Sequence, residues 1–376
     1  MKQSDIKKMT PVTKPFLPPK QELWGYIDEI YKNEYLTNNG PLHRQLKTKL
    51  CAYLSVDNLT LVVNGHSGLE IALKGLGIKG EVITTPFTFV STTHALTLNG
   101  IEPVFCDIKP SDLTIDEKKI EELITSKTTA IMPVHVYGHM CNVEEIEKIA
   151  RKHNLKVIYD AAHAFGVRYK GRALAGYGDV SMLSFHATKI FNTIEGGALV
   201  YKDNAYSRIF DAYRNFGIEG PEKIDYVGGN AKMNEFQAAM GLANLVHMPE
   251  IIFERKALVE LYRKELESVV GISYFVPEKM YKEYEYNYSY FPVLVESEYG
   301  KSRDALYDHL FDNKIYARKY FYPIMTELGC YRDKYIGAEL PVAKEAGQKI
   351  LCLPLYNGLM SKTVIDICNL IKEFRK

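Results

Sequence analysis

At 376 residues with 46% hydrophobic content, the chain is long enough for two domains around a substantial core and too apolar for a disordered one. Lys and Arg total 47 against 46 Asp and Glu, so a formal charge of +1 excludes a global field that would gather nucleic acid or an anionic membrane. No apolar run approaches the roughly 18 residues of a membrane span, and Met1-Lys-Gln-Ser-Asp-Ile-Lys-Lys8 lacks the apolar core of a signal peptide, which points to the cytoplasm.

In chain order, residues 66–76 place Leu69, Ala72, Leu73 and Leu76 at helical spacing, and 81–85 then form a short β-rich run closed by Pro86. Residues 88–98 again have a helical pattern. Further strands are expected at 103–107, 129–136, 156–160, 180–185 and 198–201, several too continuously apolar to be half-exposed. Strands buried on both faces and separated by helices predict an α/β fold with a mostly parallel sheet, whose ligands sit at the carboxyl ends of the strands. The small residues Ala238, Ala239, Gly241 and Ala243 suit an interface helix or an ordinary buried one. After a helix at 251–266, the tyrosine-rich stretch 284–295 is expected as an amphipathic strand with one packed face. No basic residues interleave with it, so it does not suggest a stacking platform for bases. The division expected is a large domain over 1–250, with an N-terminal arm over 1–20, and a smaller α+β domain over 251–376. Cys51, Cys106, Cys141, Cys330, Cys352 and Cys368 show no CxxC pair and no metal-ligand spacing, which fits a reducing compartment and no bound metal.

Two strand ends carry chemistry. Lys189 follows the strand and turn Ser181-Met-Leu-Ser-Phe-His-Ala-Thr-Lys189, and Asp160-Ala-Ala-His163 follows Val157-Ile-Tyr159. A buried lysine amine can form a Schiff base with an aldehyde cofactor, and an aspartate there can hold a pyridinium nitrogen protonated, a pairing that suggests pyridoxal 5'-phosphate (PLP). Asn64-Gly-His-Ser-Gly68 precedes a helix, where free N–H groups and the Ser67 hydroxyl can cradle a phosphate, or where Ser67 can cap the helix. Phe89, after the strand expected at 81–85, can cover a flat ring or pack in the core.

Asn64-Gly-His-Ser67, Pro86-Phe-Thr-Phe-Val-Ser-Thr92, Pro133-Val-His-Val-Tyr-Gly138, Asp160-Ala-Ala-His163, Ser184-Phe-His-Ala-Thr-Lys189, Glu195-Gly-Gly197 and Gly229-Asn-Ala-Lys-Met-Asn-Glu235 together resemble the successive motifs of the DegT-type sugar aminotransferases. The resemblance covers nearly the whole chain. It implies the PLP-dependent fold type I of aspartate aminotransferase, with a seven-stranded, mostly parallel sheet, a smaller C-terminal domain, and a homodimer with shared active sites. It further implies that Lys189 is the Schiff-base lysine and Asp160 the partner of the ring nitrogen, with Phe89 over the ring and His163 beside it. Ser67 and Ser184 match phosphate ligands, and Asn230 matches an asparagine that reaches the neighbouring subunit's phosphate. The family commonly has Thr where this chain has His66, whose imidazole or N–H would have to substitute.

The same resemblance implies glutamate as amino donor and a nucleotide-linked keto sugar as acceptor. His186, in Ser-Phe-His rather than Ser-Phe-Tyr, resembles members that aminate C4 of a 4-keto-6-deoxyhexose, and the chain looks nearest to those making dTDP-4-amino-4,6-dideoxyglucose. Arg318 and Tyr320 are candidates for the nucleotide-sugar end, since an arginine suits a diphosphate. Many relatives have His-Tyr-Pro where this chain has Tyr320-Phe-Tyr-Pro323. The alternatives are amination at C3, a GDP- or UDP-linked sugar, or a non-transaminating dehydratase or regulator on the same scaffold, although such members replace the lysine. A Rossmann dehydrogenase would need G-x-G-x-x-G, and Asn64-Gly-His-Ser-Gly-Leu69 lacks the third glycine.

Overall fold

Alternation of apolar strands with helices closes into one central sheet. The computed structural model describes residues 9–375, so the reading made on Met1 to Lys8 lies outside the described residues. The seven strands are β1 (Asn58–Val62), β2 (Glu81–Thr84), β3 (Glu102–Phe105), β4 (Thr128–Met132), β5 (Lys156–Asp160), β6 (Val180–Ser184) and β7 (Gly197–Tyr201), arranged β1-β7-β6-β5-β4-β2-β3. Only β7 runs against its neighbours; the pairs from β6 through β3 are all parallel. Ile83, Ile131, Ile158, Leu183 and Leu199 are fully buried, as residues of a sheet covered on both faces must be. The sequence reading overlooked β1, whose Asn58-Leu-Thr-Leu-Val62 is short and partly polar.

Five helices matter for the site: α1 (Pro41–Leu54), α2 (Gly65–Gly75), α3 (Val90–Leu98), α4 (Glu235–Leu245) and α5 (Met248–Leu266). The small-residue face of α4 is buried within this chain. A Cβ on Gly241 would lie 2.7 Å from Thr193 Cγ2 and 2.9 Å from Leu46 Cδ2, so glycine is what lets α4 lie directly on α1. In the last third, β8 (Ile272–Tyr274), β9 (Phe291–Val295) and β10 (Ile350–Leu353) form an antiparallel sheet in the order β8-β9-β10. Two short pairings join distant parts of the chain: Thr10–Pro11 with Ile315–Tyr316, and Tyr284–Glu285 with Arg168–Tyr169.

The tyrosine-rich stretch is not one amphipathic strand. Only Tyr284–Glu285 and Phe291–Val295 are extended ladders, and everything from Tyr286 to Tyr290 is buried. The polar groups between them explain why. Tyr286 Oη donates to the Tyr137 carbonyl at 3.0 Å, Asn287 Nδ2 to those of His163 and Phe165 at 2.8 and 2.9 Å, and Ser289 Oγ to that of His163 at 2.9 Å. These bonds go to loop carbonyls behind the strand ends, so the stretch buttresses loops instead of extending a sheet.

Candidate active site

The amino end of α2 comes down on the carboxyl end of β6. Asn64, with extended backbone, caps the helix by accepting from Ser67 N at 2.9 Å. The capping role considered for Ser67 therefore belongs to Asn64, and Ser67 stands in the first helical turn. A Cβ on Gly65 would lie 3.2 Å from Ser184 Cβ and 2.8 Å from Met182 Sδ, and one on Gly197 would lie 2.9 Å from Gly65 N. Both glycines are thus required for the approach that sets the helix start against Ser184. His66 joins this corner through Nδ1, 2.8 Å from Ser91 Oγ of α3. Unpaired N–H groups, hydroxyls and a positive helix end make the corner suited to a phosphate.

Asp160 ends β5 and is buried. Burial raises its carboxyl pKa. Three features oppose that: the Thr92 hydroxyl, which donates to Oδ2 at 2.7 Å, the Ala162 N–H, which donates to Oδ1 at 3.1 Å, and the charge of Lys189. Thr92 is itself in contact with Thr88, 2.8 Å between hydroxyl oxygens. Neither threonine was singled out in the sequence, because hydroxyl-bearing residues near a helix start look like ordinary capping chemistry.

Lys189 lies in the turn between β6 and β7, whose base is closed by Phe185 N to Gly196 O (2.8 Å) and Thr193 N to Phe185 O (2.9 Å). Its side chain keeps some exposure, but burial around the amine lowers the pKa to about 8, with Asp160 pulling the other way. His186 in the same turn accepts from Thr188 N at 3.2 Å on Nδ1, and its Nε2 lies 3.5 Å from Glu195 Oε1. Phe89 holds the N-cap position of α3 and is 54% exposed as a residue, so it is not the core residue that was its alternative reading.

His163 is buried, and its Nδ1 accepts the Tyr137 N–H at 3.0 Å, which places the ring proton on Nε2. Burial, then Lys189 and His139, hold its pKa well below the ordinary histidine range, so it is neutral. Arg318 donates from Nη1 to Tyr320 Oη at 2.9 Å, and the Tyr320 carbonyl accepts from Tyr137 Oη. The structure thus groups Asp160, Lys189 and His163 electrostatically, and His66 and Ser184 around the start of α2. Asn230 is engaged elsewhere: exposed, it accepts from Lys232 Nζ at 2.7 Å and bridges to Asn215. Two large open hollows, about 740 and 850 Å³, lie along Tyr284 and include none of these residues.

Residues 19–372 match the DegT/DnrJ/EryC1/StrS aminotransferase family. The chain belongs to this family. A dTDP-4-amino-4,6-dideoxy-D-glucose transaminase of Shigella dysenteriae is 45% identical over 97% of this chain and 98% of its own length. A GDP-perosamine synthase of Escherichia coli O157:H7 is 32% identical over 98% and 99%. Among solved structures, DesI in the presence of its TDP-sugar product superposes with a TM-score of 0.93 at 31% identity, covering 98% of this chain and 93% of that one. As a member of the DegT/DnrJ/EryC1/StrS family, this chain is an aminotransferase of PLP fold type I, and its cofactor is PLP. The residues present fit that group: a buried carboxylate able to face a ring N–H, a lysine amine with a depressed pKa, an uncovered aromatic ring, and a glycine-lined helix start facing a serine.

Proposed function

We propose that this aminotransferase moves the amino group of glutamate to C4 of a dTDP-linked 4-keto-6-deoxyhexose, giving dTDP-4-amino-4,6-dideoxyglucose. The observation that carries the reading is 45% identity, over nearly the full length of both chains, to a transaminase named for that product. DesI, the structural neighbour solved with a TDP-sugar product, supports the same substrate class.

The chain's residues divide the work as follows. PLP, when bound, supplies an aldehyde carbon that carries the amino group and a ring that withdraws electrons. Lys189, with its pKa brought down to about 8, is neutral in about one tenth of molecules at pH 7, far more than an ordinary lysine, and would move the proton between the donor Cα and the cofactor's aldehyde carbon. Asp160 keeps a proton on the ring nitrogen by charge. Phe89 covers one ring face and neutral His163 lies near the other polar edge. Ser67, Ser184 and the first N–H groups of α2 hold the phosphate, with His66 orienting that corner through Ser91. Asn230 completes the phosphate site of a second subunit in a homodimer, a role in keeping with its exposure here. His186 stands beside the acceptor, and Arg318 and Tyr320 receive the diphosphate end.

The same reading takes residues 1–250 as the cofactor-binding part and 251–376 as the smaller one. Six free cysteines suit work in the cytoplasm, and no helix among the described residues is long and apolar enough to cross a membrane.

A GDP-linked acceptor is the second reading, favoured by the 32% identity to a GDP-perosamine synthase. Glutamate offered with a panel of dTDP-, GDP- and UDP-linked 4-keto and 3-keto sugars, with products identified by mass and NMR, decides between them. Amination of the dTDP-linked 4-keto sugar at C4 is expected; preferential amination of any other member overturns the proposal.

A further inference from the structure

Tyr137 makes no hydrogen bond to Lys189 or Asp160 among the described residues, yet it ties the His163 loop to the segment that carries Arg318 and Tyr320. Its backbone is left-handed, φ 56° and ψ 6°, in a bulky residue that adopts this conformation only where its surroundings hold it. Three groups hold it. Tyr286 Oη donates to its carbonyl at 3.0 Å, its N–H donates to His163 Nδ1 at 3.0 Å, and its Oη donates to the Tyr320 carbonyl. The ring is fully buried, lying parallel to Phe321 at 6.2 Å and edge-on to Phe87 at 6.3 Å.

Tyr320 in turn is joined to Arg318 through its phenol, and the Arg318 backbone exchanges bonds of 3.0 and 2.8 Å with Cys352 on β10. The Arg318–Tyr320 segment is therefore fixed to the small sheet through Cys352 and to the His163 loop through the Tyr137 phenol.

We propose that Tyr137 is a positioning residue for the acceptor half of the reaction: its phenol sets the Tyr320 backbone, and so the Arg318–Tyr320 pair, relative to His163. The inference rests on the functional reading above. The two bonds from Tyr137 are separable, because the N–H to His163 comes from the backbone and the bond to Tyr320 from the side chain. Removing the hydroxyl alone leaves the His163 proton where it is, and releases the Tyr320 carbonyl together with the neighbouring Cys352 thiol. Burial pushes the phenol pKa far up, so the hydroxyl stays a neutral donor throughout the working pH range.

The test uses the holoenzyme and Tyr137→Phe, with the two half reactions measured apart. Conversion of the cofactor by glutamate, followed in the visible spectrum, should stay within about twofold of the parent. KM for the nucleotide-linked keto sugar should rise roughly tenfold with kcat within about twofold. Loss shared equally by both halves, loss in the glutamate half alone, or no loss overturns the proposal. In a double-mutant cycle with Tyr320→Phe, the two acceptor penalties should be less than additive, and full additivity also overturns it. Should Tyr137→Phe not fold, Tyr137→Met fills a similar buried volume without a hydroxyl, leaves the backbone bond to His163 in place, and must show the same restriction to the acceptor half. A parent enzyme that reacts with glutamate but aminates no nucleotide-linked keto sugar overturns the functional reading itself, whereas an active parent with an indiscriminate Tyr137→Phe overturns this proposal alone.

Discussion

Thr92 donates its hydroxyl hydrogen to Asp160 Oδ2 across 2.7 Å, and does so from α3, a helix that belongs to a different strand crossover. A buried carboxylate whose proposed role needs its charge thereby receives a donor from outside its own loop. Thr92→Val keeps the shape and removes the bond, so the Asp160 pKa, already raised by burial, rises further. The acid limb of the kcat/KM profile should move to higher pH, and the PLP dissociation constant should increase roughly tenfold, about 1.4 kcal/mol. An unmoved acid limb together with unchanged PLP affinity would remove Thr92 from the account.

Asp160 should be a cost to the protein when PLP is absent. Its folded-state pKa is raised, so the folded chain binds that proton more tightly than the unfolded one, and stability falls as pH climbs from the ordinary carboxyl range through the raised value. Asp160→Asn should therefore increase Tm of the cofactor-free protein at neutral pH by roughly 2 °C, with the difference vanishing below about pH 4. The same variant should lose turnover. Calorimetry of the two proteins across pH checks the sign, and a lower Tm at neutral pH would contradict it.

Lys189 should be conspicuous among the lysines before any cofactor is added. Its amine has a pKa of about 8, so competitive acetylation of the cofactor-free protein should titrate there, against about 10.5 for exposed lysines. Because the Asp160 charge raises that value, Asp160→Asn should move the Lys189 midpoint lower. Lys189→Ala should abolish turnover, and persistence of full activity would sink the assignment.

The role given to Asn230 predicts complementation. In a dimer with shared sites, a Lys189→Ala subunit lends an intact Asn230 to its partner, and an Asn230→Ala subunit keeps its own lysine. Refolding the two variants together should restore about one quarter of the parent activity, one intact site in each mixed dimer. Activity equal to the average of the separate variants would place Asn230 outside the partner's site.

Asp160 and Lys189 are readable in the sequence because Asp160 closes one mostly apolar strand and Lys189 lies in the short turn after another, and strand ends are where an α/β sheet gathers ligands. What surrounds them is less readable, for reasons of distance and of backbone. Thr92 and Asp160 are 68 positions apart, and nothing local to a threonine in a helix shows that its hydroxyl faces a carboxylate. Asn64 and Ser67 are both good capping residues, and only the extended backbone at Asn64 decides which one caps. Tyr137 takes a left-handed conformation that glycine or asparagine would advertise and tyrosine conceals. The alternation in the tyrosine-rich stretch is real, but its hydrogen bonds go to loop carbonyls supplied by residues 122 to 149 positions away.

The reversed direction of β7 bears on how freely Lys189 can move. Parallel neighbours need a long crossover to connect them, whereas β6 and β7, being antiparallel, are joined by residues 185–196 directly. Lys189 consequently rides on a closed arch whose two feet are stitched into the sheet, at Phe185 and at Gly196. Folding has already met the entropy of holding that arch, so the amine can swing on its own four-carbon stem while its anchor stays still. On the role proposed for Lys189, lengthening the arch would leave the sheet intact and blunt the enzyme, because the tether, more than the amine, would set how closely that nitrogen reaches its target.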